Sequence, residues 1–234
     1  MTSHTPPSDK CAHIVEKAKL SGASLAGIAS VDSLRSSPSH QTHGKFELPA
    51  AVKSVLVLAL VHEQDEPELD WWDDKKGGTP GNRRLGSIAK RLSQWLKEEC
   101  NIIARPLAYH VDQGGVFLKD AAALAGLGIL GKNNLLITPR FGPRVRFRAL
   151  FLDRDFEPTG PIDFSPCEAC DMRCWRACPR KAFKNGSYRR ALCNGQMKED
   201  EGNKAVFEKP ESDDSSSRYI KYCRACELAC PVAG

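Results

Sequence analysis

Eight of the ten cysteines in this 234-residue chain lie between Cys167 and Cys230, and their spacing is the clearest sign of chemistry in the sequence. Two arrays can be distinguished, and each of them ends in Cys-Pro. The arrays are Cys167-x2-Cys170-x3-Cys174-x3-Cys178-Pro179 and Cys223-x2-Cys226-x3-Cys230-Pro231, with Cys193 between them. In a reducing compartment such a group of cysteines is more often a metal-binding site than a set of disulfides.

The spacing of the arrays is typical of proteins with two 4Fe–4S clusters. Closely spaced thiolates bind one cluster, whereas in two-cluster ferredoxins the cysteine before proline binds the other cluster. This exchange predicts one ligand set of Cys167, Cys170, Cys174 and Cys230 and a second set of Cys178, Cys193, Cys223 and Cys226. Cys170 and Cys174 are separated by one residue more than in the bacterial ferredoxin pattern. A structural zinc site is the alternative, because CxxC pairs also bind zinc.

Asp112 is the candidate catalytic residue outside the cysteine arrays. It stands at the end of a predicted strand and before Gly114-Gly115. A carboxyl group at this position can donate a proton to a substrate as electrons arrive, which completes a reduction. The structural alternative is a helix N-cap, because an aspartate in front of a helix accepts hydrogen bonds from its free N–H groups.

A glycine-rich stretch is the first candidate for cofactor binding. Gly126-x-Gly128-x-x-Gly131-Lys132 has the letters of a dinucleotide fingerprint, but it follows a helix and precedes a strand. The Rossmann arrangement requires the opposite order, so nicotinamide binding is excluded. The glycines either let the backbone approach a large flat cofactor or form a tight turn between the helix and the strand.

A row of arginines is the second candidate. Arg144, Arg146 and Arg148 alternate with other residues along a predicted strand, so their side chains are expected to point to one side. Such a row can bind phosphate or carboxylate groups, and a solvated strand face is the alternative. Lys132 and Arg140 lie close enough in sequence to join it.

Hydrophobic periodicity predicts an α/β (α+β) protein of two domains, 1–158 and 159–234. In the first domain, helices are expected over 10–20 and 83–99, and a third follows the turn at Gly114-Gly115. Strands are expected over 24–29, 54–61, 104–111, 135–138 and 145–152, and residues 34–45 are expected to be loop. Residues 63–82, with Trp71-Trp72, are a candidate lid. The second domain is rich in cysteines and turns and has a polar insertion over 200–217. The remaining cysteines, Cys11 and Cys100, are expected to be buried thiols.

Composition excludes several classes of protein. The chain is 41% hydrophobic and 27% charged, so a disordered protein is not expected. No apolar run approaches the roughly 18 residues of a membrane span, and the polar N-terminus does not resemble a secretory signal. We therefore expect a cytoplasmic protein without a membrane partner. Two oxidised clusters of about −2 each would bring the formal charge of +5 close to neutral, so the basicity is weak evidence for a nucleic-acid partner.

The stretch from Tyr109 to Asp153 resembles the core of epoxyqueuosine reductases, the cobalamin-dependent iron–sulfur enzymes of queuosine synthesis. The cysteine arrays resemble the ferredoxin module of the same family, and residues 25–29 and 48–61 are more loosely similar. In that family an aspartate in a Val-Asp-Thr-Gly-Pro segment is the proton donor. Val111-Asp112-Gln113-Gly114-Gly115 matches this segment at the valine, the aspartate and the first glycine.

The resemblance implies a nitroreductase-like domain that holds cobalamin, followed by a ferredoxin-like domain with two 4Fe–4S clusters. Electrons would pass through the clusters to the corrinoid for reduction of an organic substrate, with Asp112 as general acid. The implied cofactor-binding residues are Gly126, Gly128, Gly131, Lys132, Arg144 and Arg146. The implied partners are an electron donor of the flavodoxin or ferredoxin type and a tRNA that carries the queuosine precursor.

The chain also departs from the family pattern. Full-length epoxyqueuosine reductases continue into helical repeats that help to hold tRNA, whereas this sequence ends at Gly234. The alternative function is therefore a reductive activator or electron-transfer protein that reduces the corrinoid of a partner protein and has no substrate of its own. A flavin in place of cobalamin is the alternative cofactor.

Overall fold

The structure, a computed structural model, has the mixed helix and strand content that the sequence predicts, which confirms the α/β class. It describes residues 9–43, 51–73, 75–183, 186–207 and 217–232. The helices are α1 (Asp9–Leu20), α2 (Val31–Arg35), α3 (Pro38–His43), α4 (Pro80–Cys100), α5 (Leu118–Leu124), α6 (Arg173–Arg176), α7 (Arg190–Gly202) and α8 (Ala225–Leu228). The strands are β1 (Leu25–Ser30), β2 (Ser54–Val61), β3 (Ala104–Pro106), β4 (Ile129–Leu130), β5 (Leu136–Ile137), β6 (Val145–Leu152), β7 (Ala205–Phe207) and β8 (Ser217–Tyr219). Short 3₁₀-helices span Pro67–Asp70 and Val111–Gln113.

The main sheet has the strand order β1-β2-β6-β3. Strand β1 runs antiparallel to β2, from the pair Leu25↔Ala59 to the pair Ser30↔Ser54, and β3 runs antiparallel to β6. Residues 54–60 of β2 are all buried, because this strand lies inside the sheet and is covered on both faces. The continuous apolar run in the sequence predicted this central position.

Two amphipathic helices, α1 and α4, contribute to the hydrophobic core of the main sheet. Leu85, Ile88, Leu92 and Leu96 recur at helical spacing on α4 and are almost completely buried. Helix α1 contributes Cys11 to the same core, where burial raises the pKa of its thiol. Cys11 is therefore the buried thiol that the sequence predicts.

Two segments differ from the sequence-based expectation. Part of the predicted loop 34–45 is helical, since α2 begins after Ser30, whose side chain accepts a hydrogen bond from Asp32 N, and α3 spans Pro38–His43; residues 44 and 45 lie outside the described chain. The strand predicted over 104–111 ends at Pro106. Leu107 N still donates to Ala149 O of β6 at 2.9 Å, and the chain then bends at Tyr109 and His110 before the 3₁₀-helix.

The candidate lid is a structured segment over its described residues. After the 3₁₀-helix at Pro67–Asp70, Trp72 exchanges two backbone hydrogen bonds with Ile220. Asp73 then forms a bidentate ion pair with Arg83, with both N–O distances at 2.7 Å. These contacts attach the candidate lid at Trp72 and Asp73 to residues outside it.

The chain divides into two units by the density of contacts. The first unit consists of residues 1–60, 85–130 and 146–164, and the second of residues 61–84, 131–145 and 165–234. The division therefore groups 61–84 and 131–145 with the cysteine-rich part, whereas the sequence predicts one boundary after residue 158. That predicted boundary stays a prediction.

Two further expectations concern the polar insertion and the absence of a membrane span. Residues 208–216 of the predicted polar insertion lie outside the described residues. No helix in the described part of the chain is long and apolar enough to cross a membrane. The cytoplasmic location stays a prediction.

A close backbone contact in the first unit explains two of its glycines. Thr159 Oγ1 accepts a hydrogen bond from Ile28 N at 2.8 Å and donates one to Ala125 O at 2.6 Å. A Cβ atom at Gly27 would lie 2.3 Å from Ala125 O, and one at Gly126 would lie 2.7 Å from Thr159 O. Gly126 also has a φ of +73°, a conformation that favours glycine. Packing alone therefore requires glycine at both positions.

We expect Gly126→Ala to lower the free energy of unfolding by about 2 kcal/mol, because the added Cβ is strained at positive φ and meets the backbone of Thr159. Gly86→Ala is the matched control, since this exposed glycine of α4 has no atom within 4 Å of the new Cβ. The control is expected to gain about 1 kcal/mol from helix propensity. Guanidinium unfolding measures both variants, and an equal gain in the two would contradict the packing role of Gly126.

Candidate functional site

The first group of thiols lies in the second unit and includes Cys174. Burial, together with the nearby thiols of Cys230, Cys170 and Cys167, raises the pKa of Cys174 to about 11. Cys167 and Cys170 also raise the pKa of Cys230, after burial. These four residues come from both arrays and are the same four that the ferredoxin pattern assigns to one cluster.

The second group lies around Cys226. Burial, together with the thiols of Cys223, Cys193 and Cys178, raises the pKa of Cys226 to about 12. Burial also raises the pKa of Tyr188, and the neighbouring Cys193 raises it as well. The four thiols coincide with the other predicted ligand set. Among the described residues, no three His, Cys, Asp or Glu side chains converge on a point where a single metal ion would bind.

The turn after Gly131 connects the two cysteine arrays. Lys132 O accepts a hydrogen bond from Trp175 Nε1 at 2.9 Å, next to Cys174. Asn133 is 4% exposed, and its Nδ2 donates to Cys226 O at 3.5 Å. Gly131 and Lys132 were predicted to bind a cofactor, and in the structure their turn contacts both cysteine segments, through Lys132 O and the Asn133 side chain.

Four charged or polar residues form a largely buried network beside the second array. Arg224 Nη1 lies 2.8 Å from Asp70 Oδ2, and Arg224 Nε donates to Glu227 Oε1 at 3.1 Å. His62 Nδ1 lies 2.7 Å from the other Asp70 oxygen, Oδ1, and His62 is completely buried. Because Arg224 follows Cys223 and Glu227 follows Cys226, this network fixes the backbone that carries both thiols.

Arg144 lies near the first group of thiols. Burial raises the pKa of Cys230, and the positive charge of Arg144 opposes this rise. Arg144 precedes β6, so only Arg146 and Arg148 of the predicted arginine row belong to the strand. Arg144 is thus positioned to compensate negative charge on the thiolates.

Asp112 lies in the first unit on the 3₁₀-helix Val111–Gln113, and its side chain is exposed. The turn closes through hydrogen bonds from Gly114 N to Val111 O and from Gly115 N to His110 O. Helix α5 begins at Leu118 with Phe117 as its N-cap residue, so the alternative that Asp112 caps this helix is wrong. The carboxylate has no hydrogen-bond or ion-pair partner among the described residues.

Arg148 and Tyr109 lie together in the same unit. The guanidinium carbon Cζ of Arg148 is 5.0 Å from the centroid of the Tyr109 ring, and burial lowers the pKa of Arg148. Its Nε is buried without a hydrogen-bond partner in the described part of the chain. A buried guanidinium nitrogen of this kind fits an anionic or carbonyl group of a ligand.

The predicted site residues are distributed over both units. Asp112, Gly126, Gly128 and Arg146 belong to the first unit, and Gly128 lines a cavity of about 470 Å³ there. Gly131, Lys132, Arg144 and the eight predicted ligand cysteines belong to the second. Sequence reasoning missed His62 and Asp70, because neither lies in a motif. The charge of Arg224, between two cysteines, was the only signal for their network.

Comparison with known proteins relates the chain to two groups of reductases. It is 31% identical over 188 residues to epoxyqueuosine reductase from Gloeobacter violaceus, covering 77% of this chain and 56% of that protein. It is 31% identical over 155 residues to tetrachloroethene reductive dehalogenase from Sulfurospirillum multivorans, covering 63% of this chain and 27% of that protein. The chain thus spans only about a quarter to a half of the length of these relatives. No protein-family model matches it.

Solved structures show the same fold. An epoxyqueuosine reductase in complex with an epoxyqueuosine-modified tRNA-Tyr stem loop matches with a TM-score of 0.65 at 22% identity, over 95% of this chain and 64% of that one. The Bacillus subtilis enzyme, whose structure has an aspartate-bearing catalytic loop swung out of the active site, matches with a TM-score of 0.64 at 20% identity, over 95% of this chain and 64% of that one. A reductive dehalogenase linked to B12-dependent dehalogenation has a TM-score of 0.56 at 21% identity, over 78% of this chain and 27% of that one.

Fold and sequence together relate the chain to a class of oxidoreductases that includes the epoxyqueuosine reductases and the reductive dehalogenases. Within that class the chain is epoxyqueuosine reductase-like. The resemblance predicted from the Asp112 segment and the cysteine arrays is thereby confirmed.

We expect Arg224→Met to lower the free energy of unfolding by about 3 kcal/mol, because the buried carboxylates of Asp70 and Glu227 lose their shared guanidinium. Arg84→Met is the matched control, since Arg84 is an exposed residue of α4, and a change within about 0.5 kcal/mol is expected. Anaerobic guanidinium unfolding measures both. A loss for Arg224→Met no larger than that of the control would contradict the supporting role of the network.

Proposed function

We propose that the chain is a reductase that passes electrons through two 4Fe–4S clusters to a bound corrinoid, for reduction of an organic substrate. The observation that carries the proposal is the grouping of eight thiols into two sets of four, one around Cys174 and one around Cys226. Each set has the number and type of ligands that a 4Fe–4S cluster requires. The relatives named above are reductases, which supports the same kind of chemistry here.

The cluster ligands in this proposal are the predicted sets: Cys167, Cys170, Cys174 and Cys230 for one, and Cys178, Cys193, Cys223 and Cys226 for the other. The clusters, when bound, supply one-electron carriers whose potentials depend on nearby charge and hydrogen bonds. Arg144 is the basic residue beside Cys230 and would favour the reduced, more negative state of the first cluster. The buried network around Arg224 would exclude water from the second cluster and restrict movement of its ligands.

Asp112 is the proposed general acid. Its carboxyl group is exposed and without a structural partner, on a turn that two glycine-mediated hydrogen bonds hold in shape. Removing the oxygen of an epoxide to give an alkene consumes two electrons and two protons and releases water. Asp112 would donate a proton to the departing oxygen and then be protonated again from solvent. The aspartate loop of the Bacillus subtilis enzyme supports this role.

A corrinoid is the proposed second cofactor, and it would supply a redox-active cobalt between the clusters and the substrate. Arg146 and Arg148 are side chains that can bind its anionic or amide groups, and the buried Nε of Arg148 without a partner supports this fit. Gly126, Gly128, Gly131, Lys132 and Arg144 stay predictions as cofactor contacts. Gly126 and Gly131 have packing reasons of their own, since added Cβ atoms would meet Thr159 and Ile137.

The proposed substrate is the epoxide of a queuosine precursor in tRNA. The match to one epoxyqueuosine reductase covers 77% of the chain, against 63% for the dehalogenase, which supports this choice. An organohalide is the second candidate, favoured by a dehalogenase of Desulfitobacterium hafniense that is 41% identical over 61% of the chain. The tRNA is then a substrate partner, and an electron donor of the flavodoxin or ferredoxin type is a second partner.

The first test of the proposal is Asp112→Asn. We expect this variant to keep its iron, its bound corrinoid and its stability, but to lose at least about 100-fold in turnover of epoxyqueuosine-containing RNA, because the amide cannot donate the proton. Asp155→Asn is the matched control, since Asp155 is also exposed. Turnover by Asp112→Asn at the rate of the control would show that the carboxyl group takes no part in catalysis.

The second test is the iron content of cysteine variants after anaerobic reconstitution. Cys174→Ala is expected to lose about four iron atoms, and Cys174→Ala/Cys230→Ala no more than that, because both residues serve one cluster. Cys174→Ala/Cys226→Ala is expected to lose about eight. Cys100→Ala is the control with unchanged iron. Additive losses for Cys174 and Cys230, or zinc in place of iron, would contradict the proposed ligand sets.

A further inference from the structure

Exposed basic residues lie close in sequence to the cysteines of the region 171–193. Asp171 is the only acidic residue in this stretch of sequence. We call the six described basic residues the basic surface. Arg173 and Arg176 flank Cys174, Arg180 and Lys181 follow Cys178, and Arg189 and Arg190 precede Cys193, all with exposed side chains.

The acidic neighbours neutralise only part of this surface. Asp171 accepts from Arg176 Nη2 at 2.8 Å and from Arg173 Nε at 3.4 Å, so one carboxylate serves two guanidinium groups. Arg180 pairs with Glu199 of α7. Lys181, Arg189 and Arg190 have no acidic partner among the described residues, and the surface keeps a net positive charge.

Local contacts fix the basic surface next to the thiols. Ala182 N donates a hydrogen bond to Cys178 Sγ at 3.3 Å, so the segment that carries Lys181 turns around this ligand. Arg189 N donates to Ala182 O at 2.7 Å, which brings the segment before Cys193 against it. The basic side chains therefore lie on the same short segments that carry the proposed cluster ligands.

The aromatic residues of this region favour a protein partner over RNA. Trp175 stacks on Phe183 at 6.2 Å between ring centroids, and Phe183 packs against Tyr188 at 5.6 Å. Phe183 is 6% exposed and the other two rings are half-buried, so they pack on one another. Binding of single-stranded RNA typically combines positive charge with aromatic faces that are open to bases. This surface offers the charge without the open rings.

We propose that the basic surface is the docking site of the electron donor, a small electron-transfer protein with an acidic surface. The inference rests on the proposed function, because it requires redox clusters at the cysteines. In each encounter the donor loses one electron and a cluster gains one, and no bond forms or breaks. Redox encounters of this kind use small interfaces, and opposite charges raise their association rate.

The test uses the cluster-loaded protein, reduced bacterial flavodoxin as the probe, and the charge-reversed variant Lys181→Glu/Arg190→Glu. We expect the second-order rate of cluster bleaching in stopped flow to fall about tenfold at low ionic strength, and its salt dependence to flatten. The Kd for oxidised flavodoxin, measured by calorimetry, is expected to rise by a similar factor. Reduction by dithionite, a small molecule that needs no docking site, should keep its rate.

Lys90→Glu/Lys97→Glu is the matched control, because it makes the same change of charge at exposed positions of α4. Rates with flavodoxin that are equal in the two variants, alongside normal reduction by dithionite, would overturn the docking site and leave the proposed function intact. Loss of affinity for a tRNA stem loop with an unchanged flavodoxin rate would overturn it in favour of an RNA surface. If dithionite reduces no cluster in the unaltered protein, the proposed function itself fails.

Discussion

The close approach of thiols within each group of four is the constraint on which the second unit depends. Burial and neighbouring thiols raise the pKa of Cys174 to about 11 and that of Cys226 to about 12, so the metal-free groups hold their protons at neutral pH. In the proposed function, binding of iron would displace these protons, and the attraction between metal and thiolate would offset the cost of burying the negative charges. The stability of this unit and the loading of its metal would then be coupled, and segments that align the thiols beforehand would lower the cost of binding.

Those aligning segments come from distant parts of the sequence. Asp70 reaches Arg224 beside the second array, and the turn at Lys132 and Asn133 contacts both arrays. Asp200 of α7 accepts a hydrogen bond from Cys223 N at 2.8 Å. A short cysteine-rich segment has too few apolar residues to form a large core, so buried polar contacts take over that task. This explains why residues 61–84 and 131–145 belong to the cysteine unit in space although they precede it in sequence.

The sequence was most informative where one local rule determined the outcome. The continuous run of β2 and the periodicity of α4 each predicted their structure, because burial on one or both faces leaves a regular pattern of apolar residues. The cluster ligands derived from the Cys-Pro endings stay a prediction. The sequence was least informative where the partner lies far along the chain. Nothing next to His62 or Asp70 indicates Arg224, and the packing of Gly126 on Thr159 depends on a contact 33 residues away. Asp112 shows a third case, since the sequence around it fits both a helix cap and a catalytic acid. The start of α5 excludes the cap, and the catalytic role stays a prediction.

The contrast between the mostly half-buried thiols and the exposed Asp112 also bears on how such proteins diverge in substrate. In the proposed function, delivery of single electrons by clusters makes few demands on the chemistry of the acceptor, so the same cysteine unit would serve an epoxide reductase and a dehalogenase equally well. Discrimination between substrates must then arise where the substrate is protonated or bound. Under the proposed function this place is the exposed turn of Asp112 in the first unit, where Tyr109 and His110 contact each other edge to face at 5.1 Å and Tyr109 also contacts Arg148. Substitution of exposed loop residues costs little stability, whereas substitution in the buried network around Arg224 costs more. Substrate specificity is therefore expected to vary through residues around Asp112, while the proposed electron-transfer unit stays constant.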